Sequence, residues 1–89
     1  MEVLITGGAG FLGMKLARTL LARGTLADAN GKQQAITRIV LMDRHAAQGF
    51  DDSRVSVVEG DVADPALIAR VLTSSTDSVF HLAAVVSGE

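Results

Sequence analysis

The residues best suited to chemistry sit in the first turn, Thr6-Gly7-Gly8-Ala9-Gly10-Phe11-Leu12-Gly13. Glycines at 8, 10 and 13 match G-x-G-x-x-G, and those at 7, 10 and 13 match G-x-x-G-x-x-G. That spacing suits a tight turn out of a strand, close approach of backbone to a pyrophosphate, and close packing of helix on strand. Each requirement is met by deleting a Cβ. The phosphates then rest on the free N–H groups and positive end of the following helix. At a glycine frequency of about 7%, three such glycines arise by chance in about 3% of chains this size. The turn therefore counts only with a strand before it and an amphipathic helix after it. A glycine-rich turn without a ligand would use the same residues. A triphosphate loop would not, since it needs lysine directly after the last glycine and then a hydroxyl for magnesium. Here Met14 follows Gly13, and Leu16 follows Lys15.

Asp43 is the second candidate. It ends the apolar run Ile39-Val40-Leu41-Met42, where a carboxylate takes both ribose hydroxyls of an adenosine. It lies 30 residues beyond Gly13, against a usual gap of about 20, and the polar stretch 25–37 supplies the excess. A carboxylate there repels a 2′-phosphate, so NAD is the expected cofactor. Arg44 follows at once and would pair with such a phosphate, which keeps NADP as the alternative. The plain structural use of Asp43 is as a loop cap. His81, inside an apolar strand, reads as a packed, hydrogen-bonded histidine rather than a proton carrier. His45 reads as solvated or near the adenosine, Ser87 as a substrate contact or a plain loop serine, and Asp51-Asp52 as a solvated loop rather than a metal site.

The elements that position these residues follow from hydrophobic patterning. Val3-Leu4-Ile5 is a short apolar run of the kind a parallel strand covered on both faces shows. Leu12, Leu16, Ala17, Leu20 and Leu21 recur at helical spacing, and Gly24 suits the helix end. Residues 25–37 are polar, contain the turn signal Asn30-Gly31, and read as a surface excursion. Ile39 to Met42 and Val55 to Val58 are the second and third strands, with a loop over 44–53 between them. Asp64-Pro65 starts a helix whose apolar face is Leu67, Ile68, Val71 and Leu72. Ser74 to Asp77 close it, and Val79 to Ala83 form a fourth strand. The pattern predicts an α/β fold, a parallel sheet flanked by helices in doubly wound order with the first strand near the middle.

Composition narrows the chemistry. The 89 residues carry a formal net charge of −2 and no cysteine, tyrosine or tryptophan. There is thus no basic footprint for nucleic acid, no disulfide or thiolate metal site, and no tyrosine to act as acid or base. No run approaches the roughly 18 apolar residues that span a bilayer. The first residues lack the basic start and long apolar core of a signal peptide. A cytoplasmic protein that binds neither nucleic acid nor membrane is expected.

Taken together, the opening turn from Thr6 to Gly13, the acidic Asp43, the Gly60-Asp61-Val62 step and His81-Leu82-Ala83-Ala84 resemble the extended short-chain dehydrogenases, the NAD-dependent epimerase/dehydratase family. Within it, the turn and the stretch His81 to Glu89 are most similar to the D-erythronate dehydrogenase type. The resemblance implies a Rossmann NAD(P)-binding domain, of which residues 1–89 would be the N-terminal part. Gly7, Gly10 and Gly13 would form the phosphate turn, with the Phe11 and Leu12 amides opening the helix. Asp43 would hold the adenosine ribose, Asp61 would accept from the adenine amino group, and the Val62 amide would lie beside it. Ala83 and Ala84 would line the cofactor near its ribose and pyrophosphate. Asp61 would equally serve as a strand-end turn residue. The family's Tyr-x-x-x-Lys pair and upstream hydroxyl residue would lie beyond Glu89, so no catalytic residue and no metal ligand is expected within the chain. The implied substrate is a sugar or sugar acid in a homodimeric oxidoreductase. An epimerase or dehydratase is the alternative within the family, and a nucleotide-sensing module without chemistry is the alternative outside it.

Overall fold

A computed structural model describes residues 1–82. Its elements are β1 (Glu2–Thr6), α1 (Phe11–Arg23), β2 (Thr25–Ala27), β3 (Gln33–Ala35), β4 (Arg38–Asp43), β5 (Val55–Glu59), α2 (Pro65–Val71) and β6 (Thr76–His81). Four strands form a parallel sheet in the order β5-β4-β1-β6, so the first strand is central, as the patterning predicts. Side chains alternate across the sheet. Val3, Ile5, Ile39 and Leu41 therefore face α1, where Ala17 and Leu20 meet them, while Leu4, Val40 and Met42 face Leu67 of α2. Covering both faces is why these strands are continuously apolar rather than alternating.

Helix α1 ends at Gly24, whose φ of 74° is left-handed and whose N–H donates to the Leu20 carbonyl. The helix buries Gly13, Ala17 and Leu20. Leu12, expected on that buried face, is 66% exposed. At 100° per residue it stands roughly 80–140° around the axis from the buried Gly13, Ala17 and Leu20. The loop after β4 folds back onto the same helix. The Arg18 guanidinium sits 5.1 Å from the Phe50 ring centroid, and Arg54 donates to both Asp52 oxygens at 3.0 and 2.8 Å and to the Leu21 carbonyl. That pairing holds the Asp52 carboxyl at about 2, below its usual 3.8, chiefly through the side-chain hydrogen bonds from Arg54.

Three expectations are corrected. Residues 25–37 contain an antiparallel hairpin, β2 paired with β3, rather than only a polar excursion. Asp28 builds its turn by accepting from the backbone N–H groups of Asn30 and Lys32 and from the Gln34 amide. The hairpin delivers Ile36, 4% exposed, to the core on the α1 side. Strands of three residues are too short to show a period, which is why the pattern did not reveal them. Helix α2 ends at Val71, with Leu72 at its C-cap in extended backbone and 42% exposed. Thr76 and Asp77, expected to close that helix, instead begin β6, which runs Thr76–His81 rather than 79–83. Asp77 accepts from the Glu2 N–H at 2.9 Å, so it anchors the start of β6 to the start of β1.

Candidate dinucleotide-binding site

Strands β1, β4, β5 and β6 end at Thr6, Asp43, Glu59 and His81 on one edge of the sheet. In an open parallel sheet, ligands bind outside the carboxyl ends of the strands, at the switch in strand order. Here that switch falls at β1, flanked by β4 on one side and β6 on the other. A cavity of about 250 Å³ lies at the opposite edge, against Glu2, Arg38, Leu67 and Arg70. It contains the Arg38–Glu2 surface ion pair and none of the candidate residues.

The glycines of the first turn do different jobs. Gly7 has φ 75° and turns the chain out of β1, while the N–H groups of Gly7 and Gly8 both donate to the Met42 carbonyl at 2.8 and 3.1 Å. A Cβ on Gly8 would lie 2.8 Å from the Leu41 Cβ, and one on Gly13 would collide with the Gly7 carbonyl and the Gly8 backbone. Those two positions are reserved for packing within the fold. Gly10 differs, because a Cβ there would touch only the Gly7 carbonyl, at an ordinary 3.4 Å. Among the described residues nothing requires glycine at that position, yet the bare backbone leaves the outside of the turn open. Gly10 is also the N-cap of α1, with no side chain capping the helix and no acidic residue in its first turn. An uncapped, acid-free helix start behind an open glycine backbone fits an anionic phosphate group.

Around this turn the polar residues form a connected network. Asp43 accepts from the Ala9 N–H at 3.0 Å and from the Arg44 N–H at 2.7 Å, so its carboxylate ties the end of β4 to the glycine turn. Asp43 is thus both a loop cap, in the plain reading, and an acid facing the turn. The Asp43 carbonyl accepts from the Gly60 N–H at 2.8 Å. Asp61 accepts from the Ala63 N–H at 2.8 Å, and its other oxygen lies 3.6 Å from the Arg44 guanidinium. Val62 packs against the core on the α2 side. Phe11 is 80% exposed at the mouth of the turn. The structure thereby brings Gly7, Gly10, Phe11, Leu12, Gly13, Asp43 and Asp61 to one edge of the sheet. Ala83, Ala84 and Ser87 lie outside the described residues.

His81 is hydrogen-bonded, as expected, and its partner is Thr6. Thr6 Oγ1 and His81 Nδ1 are 2.7 Å apart, and the same hydroxyl accepts from the Leu82 N–H at 3.1 Å. The hydroxyl, with one proton and two lone pairs, serves Leu82 and His81 at once, and the His81 tautomer sets which of the pair donates. His81, at the edge, is exposed rather than packed. Sequence reasoning missed Thr6, Ala9 and the packing roles of Gly8 and Gly60; a Cβ on Gly60 would collide with the Leu67 side chain. The Thr6–His81 and Ala9–Asp43 pairs are 75 and 34 residues apart, and no local signal announces them.

Residues 4–87 match the family model described as GDP-mannose 4,6 dehydratase. The chain is 58% identical over its whole length to a D-erythronate dehydrogenase of Cupriavidus necator, covering 27% of that protein. A nucleoside-diphosphate-sugar epimerase from Agrobacterium tumefaciens superposes with a TM-score of 0.79 at 30% identity, over 99% of this chain and 25% of its own. A double mutant of a dTDP-glucose 4,6-dehydratase from Streptomyces venezuelae, solved with NAD bound, gives a TM-score of 0.70 at 33% identity, over 94% and 26%. The chain spans about a quarter of the length of the curated relatives it matches.

Proposed function

The chain belongs to the GDP-mannose 4,6 dehydratase family, within the extended short-chain dehydrogenases, and from that premise we propose that it is the NAD-binding part of a sugar-acid oxidoreductase. The observation that carries this reading is the bare N-terminus of α1 behind Gly10. Gly7, Gly10 and Gly13 form the phosphate turn, Gly13 by letting the helix pack against it, and the Phe11 and Leu12 amides that open the helix face the pyrophosphate. Asp43 takes the adenosine ribose, Asp61 accepts from the adenine amino group, and the Val62 amide and Ala83–Ala84 line the rest. When bound, the nicotinamide supplies a hydride acceptor for a hydroxyl-bearing carbon. The proton of that hydroxyl needs a tuned acid or base, which the family resemblance assigns to a Tyr-x-x-x-Lys pair, and these 89 residues contain no tyrosine. The same proposal extends to a cytoplasmic compartment and a homodimeric assembly.

Among the substrates its relatives' names point to, a sugar acid is favoured over a nucleotide-sugar by the 58% identity to a D-erythronate dehydrogenase. The test uses the polypeptide that carries this chain, titrated with NAD by calorimetry and then assayed for NADH formation from D-erythronate. Binding with turnover is the expected result. Binding without turnover on D-erythronate or on a nucleotide-sugar would favour a sensing module. A folded protein that binds no NAD would overturn the reading.

A further inference from the structure

We propose, resting on the dinucleotide reading above, that Asp61 is a specificity-determining residue acting through Arg44: it holds the guanidinium across the β4–β5 edge and so preserves the preference for NAD over NADP. Two charges at the end of β4 act on a 2′-phosphate in opposite senses. The Asp43 carboxylate repels it, and the guanidinium of the very next residue attracts it. Which dominates depends on where that guanidinium is held.

The structure answers with three contacts. The Arg44 backbone is pinned, because its N–H donates to Asp43 at 2.7 Å. Its side chain reaches sideways to Asp61, with Nη2 and Oδ2 at 3.6 Å. Asp61 is itself held in place, since its other oxygen accepts from the Ala63 N–H at 2.8 Å. Strands β4 and β5 are neighbours whose ends, Asp43 and Glu59, pair in register, and the Gly60 N–H closes onto the Asp43 carbonyl. The anchor for the guanidinium is therefore built into the sheet edge rather than borrowed from a mobile side chain. A partly neutralised Arg44 is a weaker partner for a phosphate. Asp43, whose charge has no guanidinium on it among the described residues, is left to repel.

Both side chains of the pair are largely exposed, at 73% and 49%. Exposed pairs of this kind support effects of about two- to fivefold. The adenine contact made by Asp61 is common to both cofactors, so the ratio of the two affinities cancels it and isolates the tether.

The experiment is a cycle of four versions of the polypeptide: unsubstituted, Arg44→Ala, Asp61→Asn, and the pair together. Each is titrated with NAD and with NADP by calorimetry, after its thermal transition is confirmed. Asp61→Asn is expected to raise the NADP-to-NAD affinity ratio about two- to fivefold when Arg44 is present and to leave it unchanged when Arg44 is alanine. The same shift in both backgrounds would mean that Asp61 repels the phosphate directly, and it overturns the tether while the dinucleotide reading stands. No shift in either background overturns it too. If the folded, unsubstituted protein binds neither nucleotide, the dinucleotide reading falls first and the tether with it.

Discussion

The two helices among the described residues begin in the same setting and in opposite ways. Each follows a parallel strand at the carboxyl edge of the sheet, α1 after β1 and α2 after β5. Each therefore presents free backbone N–H groups and about half a positive charge there. At α2 the chain satisfies that end itself: Asp64 accepts from the Ala66 N–H at 3.0 Å, and Pro65 occupies the first helical position. At α1 the cap is Gly10, which offers no side chain, and no acidic residue stands in the first turn. A capped start adds stability, typically about 1 kcal/mol. With glycine as its cap, α1 gives up only about a few tenths of a kcal/mol of that gain and leaves its first N–H groups without a side-chain partner. The contrast separates a helix start closed by its own side chain from one left open, which is the one the proposed phosphate site uses.

The largest expected effect tests the open start directly. Gly10→Val should lower NAD affinity by about 100-fold or more, equivalent to about 2.7 kcal/mol, while the protein stays folded, because the β-carbon meets only an ordinary contact. Gly13→Ala should do the reverse, with overpacking that costs roughly 1–3 kcal/mol of stability. Calorimetry and denaturant unfolding on both variants check the pair, and an unfolded Gly10→Val protein would break the comparison. Next in size, Asp43→Ala should weaken NAD binding about tenfold, since it removes charge-assisted bonds of about 1.5–3 kcal/mol each at most. It should also raise the NADP-to-NAD ratio, read from the same titrations.

At the capped end, Asp64→Ala should lower stability by about 1 kcal/mol and leave NAD affinity where it was. A parallel loss of affinity would show that α2 also contributes to the site. The smallest effect concerns the far end of α1, where Arg54 joins Asp52 to the Leu21 carbonyl. The Asp52 carboxyl titrates at about 2 in the fold against a usual 3.8. A depressed folded value means the contribution is full above 3.8 and fades as pH falls toward 2. The stability difference between the parent protein and Asp52→Asn should therefore shrink over that interval. Denaturant midpoints at pH 6, 4 and 2 follow it, and a difference that stays constant would detach Asp52 from the helix end.

Legibility differed between these regions for physical reasons. The strand–glycine–helix start and the Asp64-Pro65 cap were readable because each is a local pattern, complete within about eight residues. The hairpin was not, since Thr25–Ala27 and Gln33–Ala35 hold together by backbone bonds and an Asp28 turn rather than by apolar alternation. The exposed Leu12 was misread because the leucines alone set the apolar stripe too near it, whereas the buried residues, Gly13 among them, centre that face about 100° around the axis from Leu12. Within the site, the identity of the glycines was legible and their division of labour was not, because Gly8 and Gly13 are constrained by Leu41, Gly7 and the Gly8 backbone, neighbours that only packing supplies.

From residue order alone follow the parallel sheet with β1 inside it, the glycine turn, the acidic end of β4 and the starts of α1 and α2, since these rest on hydrophobic period, backbone freedom and capping. Tertiary structure decided which groups meet across the chain. Strand order β5-β4-β1-β6 places the Asp43 carboxylate on the Ala9 N–H, the Arg44 guanidinium beside Asp61, and the Thr6 hydroxyl against His81. Each pair is set by which strand lies beside which and in what register, and no interaction within either local segment dictates that choice.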